Sequence, residues 1–134
     1  MKKVKKKVMI VEDNEHTRFL VNAILVTLGY EVVEAEDGKV GKDMLNDPKV
    51  LNGLSAIFLD VLMPNINGIE LLTWIKQQDS LTSVPVLMLT TKDMAEDLIE
   101  GYGLGADYYI PKPFSKQQIQ FGLDMLLEEE KKTG

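Results

Sequence analysis

A chain of 134 residues, 45% hydrophobic and 27% charged, has the length and composition of one globular domain able to bury a core, which excludes disordered and fibrous classes. Zero cysteines exclude disulfides, thiol catalysis and thiolate metal sites. Apolar runs such as Val8–Val11 fall far short of the ~18 residues that span a bilayer, so no membrane partner and a cytoplasmic location are expected.

Net charge is −6, yet five of the 15 basic residues are Lys2, Lys3, Lys5, Lys6 and Lys7. From residue 8 onward 10 basic residues face 21 acidic ones, and a net −11 repels phosphate backbones and argues against direct nucleic-acid binding. Residues 1–7 read as a Lys-rich tail, 8–128 as the domain and 129–134 as a C-terminal tail.

Val8–Val11 is an apolar run of β type. Glu15–Leu28 places Phe19, Leu20, Ala23, Ile24 and Leu28 at helical spacing and is closed by Gly29. A second strand follows over Tyr30–Ala35, then a turn at Asp37-Gly38 and a short helix, Lys39–Leu45, stopped by Asp47-Pro48. Residues 49–54 read as loop. Ala56–Leu59 is continuously apolar, the mark of a strand buried on both faces, and it ends at Asp60. The loop Met63–Gly68 leads to a helix carrying Ile69, Leu72 and Ile75. A fourth strand, Pro85–Leu89, ends at Thr90, and residues 93–103 read as a helix. Tyr108–Ile110 is the fifth strand, followed by Pro111-Lys112-Pro113. Ser115 is a candidate N-cap for a last helix bearing Ile119, Leu123, Leu126 and Leu127, which frays over Glu128–Gly134.

Five β-then-α units imply an α/β domain with a parallel sheet covered by helices on both faces, because parallel strands need crossovers. Ligands of such sheets bind outside the carboxyl ends of the strands. The polar residues that follow the apolar runs are Glu12 and Asp13, Asp60, Thr90 and Lys112. Three carboxylates brought together repel, each pair by about 4 kcal/mol at ~4 Å and an effective dielectric near 20. A hard divalent cation relieves this. Oxygen-only ligands favour Mg²⁺, with Mn²⁺ or Ca²⁺ as weaker alternatives. A carboxylate nucleophile, a metal, a lysine and a hydroxyl together suit phosphoryl transfer.

In this order and strand register, Val11-Glu12-Asp13-Asn14, Asp60-Val61-Leu62-Met63-Pro64 with Gly68, Leu89-Thr90-Thr91, and Gly105-Ala106-Asp107-Tyr108-Tyr109-Ile110-Pro111-Lys112-Pro113-Phe114 resemble the response-regulator receiver domain of bacterial two-component systems, the family of the chemotaxis receiver protein. The resemblance spans roughly residues 7–128. It implies a doubly wound, flavodoxin-like (βα)5 fold with strand order 2-1-3-4-5. It also implies that Asp60 is the phosphoacceptor and that Glu12, Asp13 and Asp60, with the backbone carbonyl of Leu62, hold Mg²⁺. Thr90 and Lys112 would contact the phosphoryl group, Tyr109 would be the switch aromatic, and Lys112-Pro113 would be cis. The phosphoryl donor would be a histidine kinase or phosphotransfer protein. A downstream protein partner, or a phosphorylation-dependent dimer, would use residues 93–125. With no output domain in the sequence, the protein is expected to act as a single-domain regulator, a signalling switch more than an enzyme, with intrinsic autophosphorylation and autodephosphorylation.

A phosphatase with an aspartate nucleophile would carry a second Asp two residues after the first, where Leu62 stands. A nucleotide binder would carry a Gly- or hydroxyl-rich loop after the first strand, where Glu12-Asp13-Asn14 is anionic. The remaining rival is a receiver that works unphosphorylated as a binding module. His16 reads as an exposed first-turn residue and Trp74 as a packing residue.

Overall fold

Each apolar run becomes a strand of one parallel sheet. The structure, a computed structural model, describes residues 5–61, 63, 66–91 and 105–132. Their elements are β1 (Lys7–Val11), α1 (Glu15–Thr27), β2 (Glu31–Ala35), α2 (Gly38–Met44), α3 (Pro48–Leu51), β3 (Leu54–Asp60), α4 (Gly68–Lys76), a 3-10 turn (Asp79–Leu81), β4 (Val86–Thr91), β5 (Tyr108–Lys112) and α5 (Lys116–Lys132). The strand order is β2-β1-β3-β4-β5, all pairs parallel, with β2 and β5 at the edges. This is the doubly wound order expected. The helix expected over residues 93–103 lies outside the described residues.

The central strands are covered on both sides, and alternate residues feed two cores. Met9, Val11, Ile57, Leu59, Val86 and Met88 pack with Leu45, Leu71, Leu72 and Ile75 on the α2 and α4 side. Val8, Ile10, Ala56, Phe58, Leu87 and Leu89 pack with Val21, Leu25, Ile119 and Leu123 on the α1 and α5 side.

Side-chain caps set where the helices begin. Asn14, Asp37 and Asn67 each accept a hydrogen bond from the amide three residues on, opening α1, α2 and α4. Ser115 and Gln118 form a reciprocal capping box: Ser115 Oγ accepts from the Gln118 amide at 3.2 Å, and Gln118 Oε1 accepts from the Ser115 amide at 2.8 Å. Gly29, at φ +95°, ends α1, with the Tyr30 amide donating back to the Leu25 carbonyl.

Three expectations need correction. Residues 49–54 are not a loop: Asp47 caps a short helix, α3, that has Pro48 in its first turn, and β3 already starts at Leu54. The free end of α3 is held from a distance by Lys7, whose ammonium donates to the carbonyls of Lys49, Val50 and Asn52 at 2.9, 3.3 and 2.8 Å. The core stripe of α1 is Val21 and Leu25, flanked by Ile24 and Leu28, whereas Phe19 is 69% exposed and Leu20 41% exposed. Both stripes satisfy helical spacing, and the docking of α1 on β1 selects one of them. The last helix also runs on to Lys132 instead of fraying from Glu128.

Candidate functional site

The site assembles where β1, β3, β4 and β5 end. β1 stops at Val11, and the Glu12 amide donates to the Ala35 carbonyl of β2 at 3.1 Å, extending the ladder by one bond. Asp60 closes β3 and pairs in register with Leu89, which puts Thr90 one residue beyond it on the adjacent strand. Thr90 in turn pairs with Pro111, so Lys112 projects from the next rung at the end of β5. The register of four strands, β1, β3, β4 and β5, therefore brings together residues up to 100 positions apart in the chain.

Glu12 is wholly buried, Asp60 and Thr90 are buried, and Asp13 is exposed. One carboxylate oxygen from each of Glu12, Asp13 and Asp60 lies within 4.8 Å of the other two. The Lys112 ammonium bridges two of them, 3.2 Å from Glu12 Oε1 and 3.3 Å from Asp60 Oδ1. Glu12 Oε2 accepts from the Asn14 amide at 3.2 Å. Every donor is a hard oxygen, and three carboxylates against one lysine leave the cluster short of positive charge. That is the donor set of a Mg²⁺ site.

Burial pushes the Glu12 carboxyl up from 4.5 to about 8, reinforced by the hydrogen bond and negative charge of Asp60, against smaller downward pulls from Lys112 and the Asn14 amide. Burial lowers the Lys112 ammonium, but the charges of Asp60 and Glu12 outweigh it and leave the group raised. Glu12 thus holds an extra proton in the folded state between pH 4.5 and about 8. Its contribution to stability is complete below the lower value. It declines as pH rises, by up to about 1.4 kcal/mol per pH unit, and is lost above the upper value. Urea unfolding in EDTA is expected to show the stability of wild type falling relative to that of Glu12→Gln as pH rises across this window. A difference that stays flat would place Glu12 outside the proton linkage.

The loop after Asp60 is closed by two glycines. The Gly68 amide donates to the Val61 carbonyl at 2.8 Å, and a Cβ on Gly68 would run into the Asp60 carbonyl oxygen and lie 2.8 Å from Val61 Cα. A Cβ on Gly38 would strike the Ile66 carbonyl oxygen. Val61 and Ile66 are thereby held close against the first turns of α4 and α2 respectively. Across the sheet, Asp107 Oδ2 accepts from the Val86 amide at 2.8 Å and lies 3.4 Å from the Lys76 ammonium, tying the start of β5 to that of β4.

Of the residues singled out in the sequence, Glu12, Asp13, Asp60, Thr90 and Lys112 come to the carboxyl edge of the sheet. Leu62, expected to offer a backbone carbonyl, lies outside the described residues. Tyr109 is half-buried on β5 opposite Met88 and packs against the α2 and α4 core. The Lys112-Pro113 bond is cis, as expected. His16 is exposed, and half-buried Trp74 packs on the core with the Lys42 ammonium 5.3 Å from its ring centre. Sequence reasoning passed over Arg18, which donates to the Glu12 carbonyl at 2.8 Å. The available signal was its place one turn into α1, since helical side chains lean back toward the N-terminus.

A parallel sheet of this order with an acidic triad and a lysine at its carboxyl edge defines a receiver-type fold and site. Residues 8–123 match the response regulator receiver domain, and the chain belongs to that family. It is 36% identical over 113 residues to the Bacillus subtilis transcriptional regulatory protein YrkP, an alignment covering 84% of this chain and 46% of YrkP. The chain thus spans about half the length of the curated relatives it matches. Among solved structures it superimposes on the Vibrio cholerae chemotaxis response regulator CheY4 with a TM-score of 0.83 at 30% identity, covering 92% of this chain and 99% of that one. It also superimposes on the receiver domain of the Pseudomonas aeruginosa sensor histidine kinase PA1611, with a TM-score of 0.80 at 25% identity over 93% and 99% of the two chains. That structure has a magnesium ion coordinated in its active-site cleft. Among the described residues no helix is long and apolar enough to cross a membrane.

Proposed function

We propose that this chain is a Mg²⁺-dependent phosphoacceptor switch in which Asp60 takes a phosphoryl group from a histidine kinase or phosphotransfer protein. The observation that carries the reading is the convergence of Glu12, Asp13 and Asp60 within 4.8 Å, with Lys112 bridging two of them. An Asp60 carboxylate oxygen forms the new bond to phosphorus while the donor's nitrogen–phosphorus bond breaks. The electron pair returns to the imidazole nitrogen, which takes up a proton from solvent. The product is a mixed anhydride on Asp60. The Lys112 ammonium faces the charge on the transferred oxygens, and the Thr90 hydroxyl donates a hydrogen bond to one of them. Glu12, Asp13 and Asp60, with the Leu62 carbonyl, would hold Mg²⁺, which when bound supplies charge neutralisation to the phosphoryl oxygens. The magnesium ion in the active-site cleft of the PA1611 receiver supports a Mg²⁺ site in this cleft.

Phosphorylation draws Thr90 toward Asp60 and lets the Tyr109 ring follow, shifting an existing equilibrium between two surfaces. The signal leaves through residues 93–125, to a protein partner or a second copy of the chain, in the cytoplasm. The same machinery phosphorylates itself from small phosphodonors and hydrolyses its own anhydride. Acetyl phosphate with Mg²⁺ is expected to add a single phosphoryl mass, mapped to Asp60, and EDTA to suppress it. An unmodified protein under these conditions would mark a binding module that works unphosphorylated.

A further inference from the structure

The acidic pair is gripped from behind by a residue that the phosphoryl chemistry does not touch. Arg18 Nη1 donates to the Glu12 backbone carbonyl at 2.8 Å, and Arg18 Nε lies 3.3 Å from Glu34 Oε1 on β2. The other oxygen of that carboxylate accepts from Asn22 Nδ2 at 2.9 Å. With its own amide bonded to Ala35, Glu12 is fixed at both backbone polar groups, by β2 on one side and α1 on the other. Peptide planarity then places the Asp13 amide and Cα as well, the point from which the Asp13 side chain leaves the backbone. This matters most for Asp13. Among the described residues no hydrogen bond or ion pair ties down its exposed carboxylate, so its aim rests on the backbone alone.

We infer that Arg18, braced by Glu34 and Asn22, is a positioning residue that orients the Glu12–Asp13 peptide so that both carboxylates converge with Asp60 on one cation. The inference rests on the Mg²⁺ site proposed above. Glu34 serves a second purpose. A lone guanidinium beside an acidic cluster would oppose the cation that the cluster collects, and the Glu34 carboxylate cancels that charge while leaving the Nη1 bond in place. The arginine side chain is 19% exposed and the glutamate 40%, so solvent and salt screen the pair in part. Lysine cannot substitute fully, because a single ammonium lacks the planar fork that serves a carbonyl and a carboxylate at once.

Calorimetric titration with Mg²⁺, at a temperature where circular dichroism shows every variant folded, tests this. Outer residues that orient metal ligands typically govern affinity by 10–100-fold, so Arg18→Ala is expected to bind Mg²⁺ about tenfold more weakly than wild type. Arg18→Lys should fall between the two, and Glu34→Gln should weaken binding severalfold with Arg18 intact. The Glu12 carbonyl ¹³C and Asp13 amide ¹⁵N resonances of Arg18→Ala should shift even without metal. A purely structural arginine would lower the melting temperature in EDTA and leave the Mg²⁺ affinity within twofold of wild type, and that result overturns the inference. Should Arg18→Ala not fold, wild-type affinity in both Arg18→Lys and Glu34→Gln overturns it equally. Wild-type protein that takes no Mg²⁺ overturns the metal site itself, whereas undiminished binding in the variants overturns the role of Arg18 alone.

Discussion

Asp60→Asn is expected to abolish phosphoryl uptake from acetyl phosphate and, in EDTA near neutral pH, to raise the melting temperature. The amide keeps the size of the side chain but is no nucleophile toward phosphorus, and Asp60 is the one carboxylate of the cluster that lies within a strand, Glu12 and Asp13 following the end of β1. The stability gain comes from the pair geometry. Lys112 is shared between two buried carboxylates, and burial together with Asp60 holds the Glu12 carboxyl near 8. Neutralising Asp60 leaves one carboxylate facing one ammonium and lets Glu12 ionise at lower pH, a gain of about 1 kcal/mol for each pKa unit recovered. Mass spectrometry and thermal unfolding check the two halves separately. A hydroxylamine-sensitive adduct at wild-type level would place the nucleophile elsewhere. A lowered melting temperature would show that the Asp60–Lys112 ion pair outweighs the repulsion between Asp60 and Glu12.

Gly68→Ala is expected to destabilise the protein by about 3 kcal/mol or more and to slow phosphorylation with it. The added methyl has nowhere to go, because the atoms it meets are the Asp60 carbonyl and Val61 Cα, backbone of a fully packed strand end. Relief requires moving Asp60, the proposed phosphoacceptor, so stability and phosphoryl uptake are expected to fall together. Gly53→Ala supplies the comparison. Gly53 sits at φ +77° with nothing within 4 Å of a Cβ, so alanine there meets only backbone strain, about 1–2 kcal/mol. Thermal unfolding of the two variants separates close approach from torsional strain, and equal losses would mean that the loop after Asp60 yields more readily than its contacts imply.

The candidate site residues were legible in the sequence because each follows an apolar run, and a strand buried on both faces announces itself without help from its neighbours. Val8–Val11 and Ala56–Leu59 needed only their own composition. Features that depend on a second element were not legible in this way. The Glu34 carboxylate meets Arg18 only because β2 aligns beside β1 with Glu34 opposite Ile10. The short helix after Asp47 carries no periodic signal over four residues, and its free end is held by a lysine 42 or more positions earlier. The orientation of α1 is not legible in its own sequence for a related reason. Its sequence offers apolar residues on two sides, and the choice between Phe19 and Val21 is made by the sheet.

The two outermost strands decide how copies of this protein can meet. An open sheet invites a further strand to pair along its edge, the route by which β proteins aggregate. Here β2 carries the exposed charge of Glu31, and β5 carries Pro111, which has no amide hydrogen to offer an incoming chain. Main-chain pairing is thereby discouraged at both borders. Association of two copies is left to side chains, and contacts of that kind can be made and undone as the surface chemistry changes.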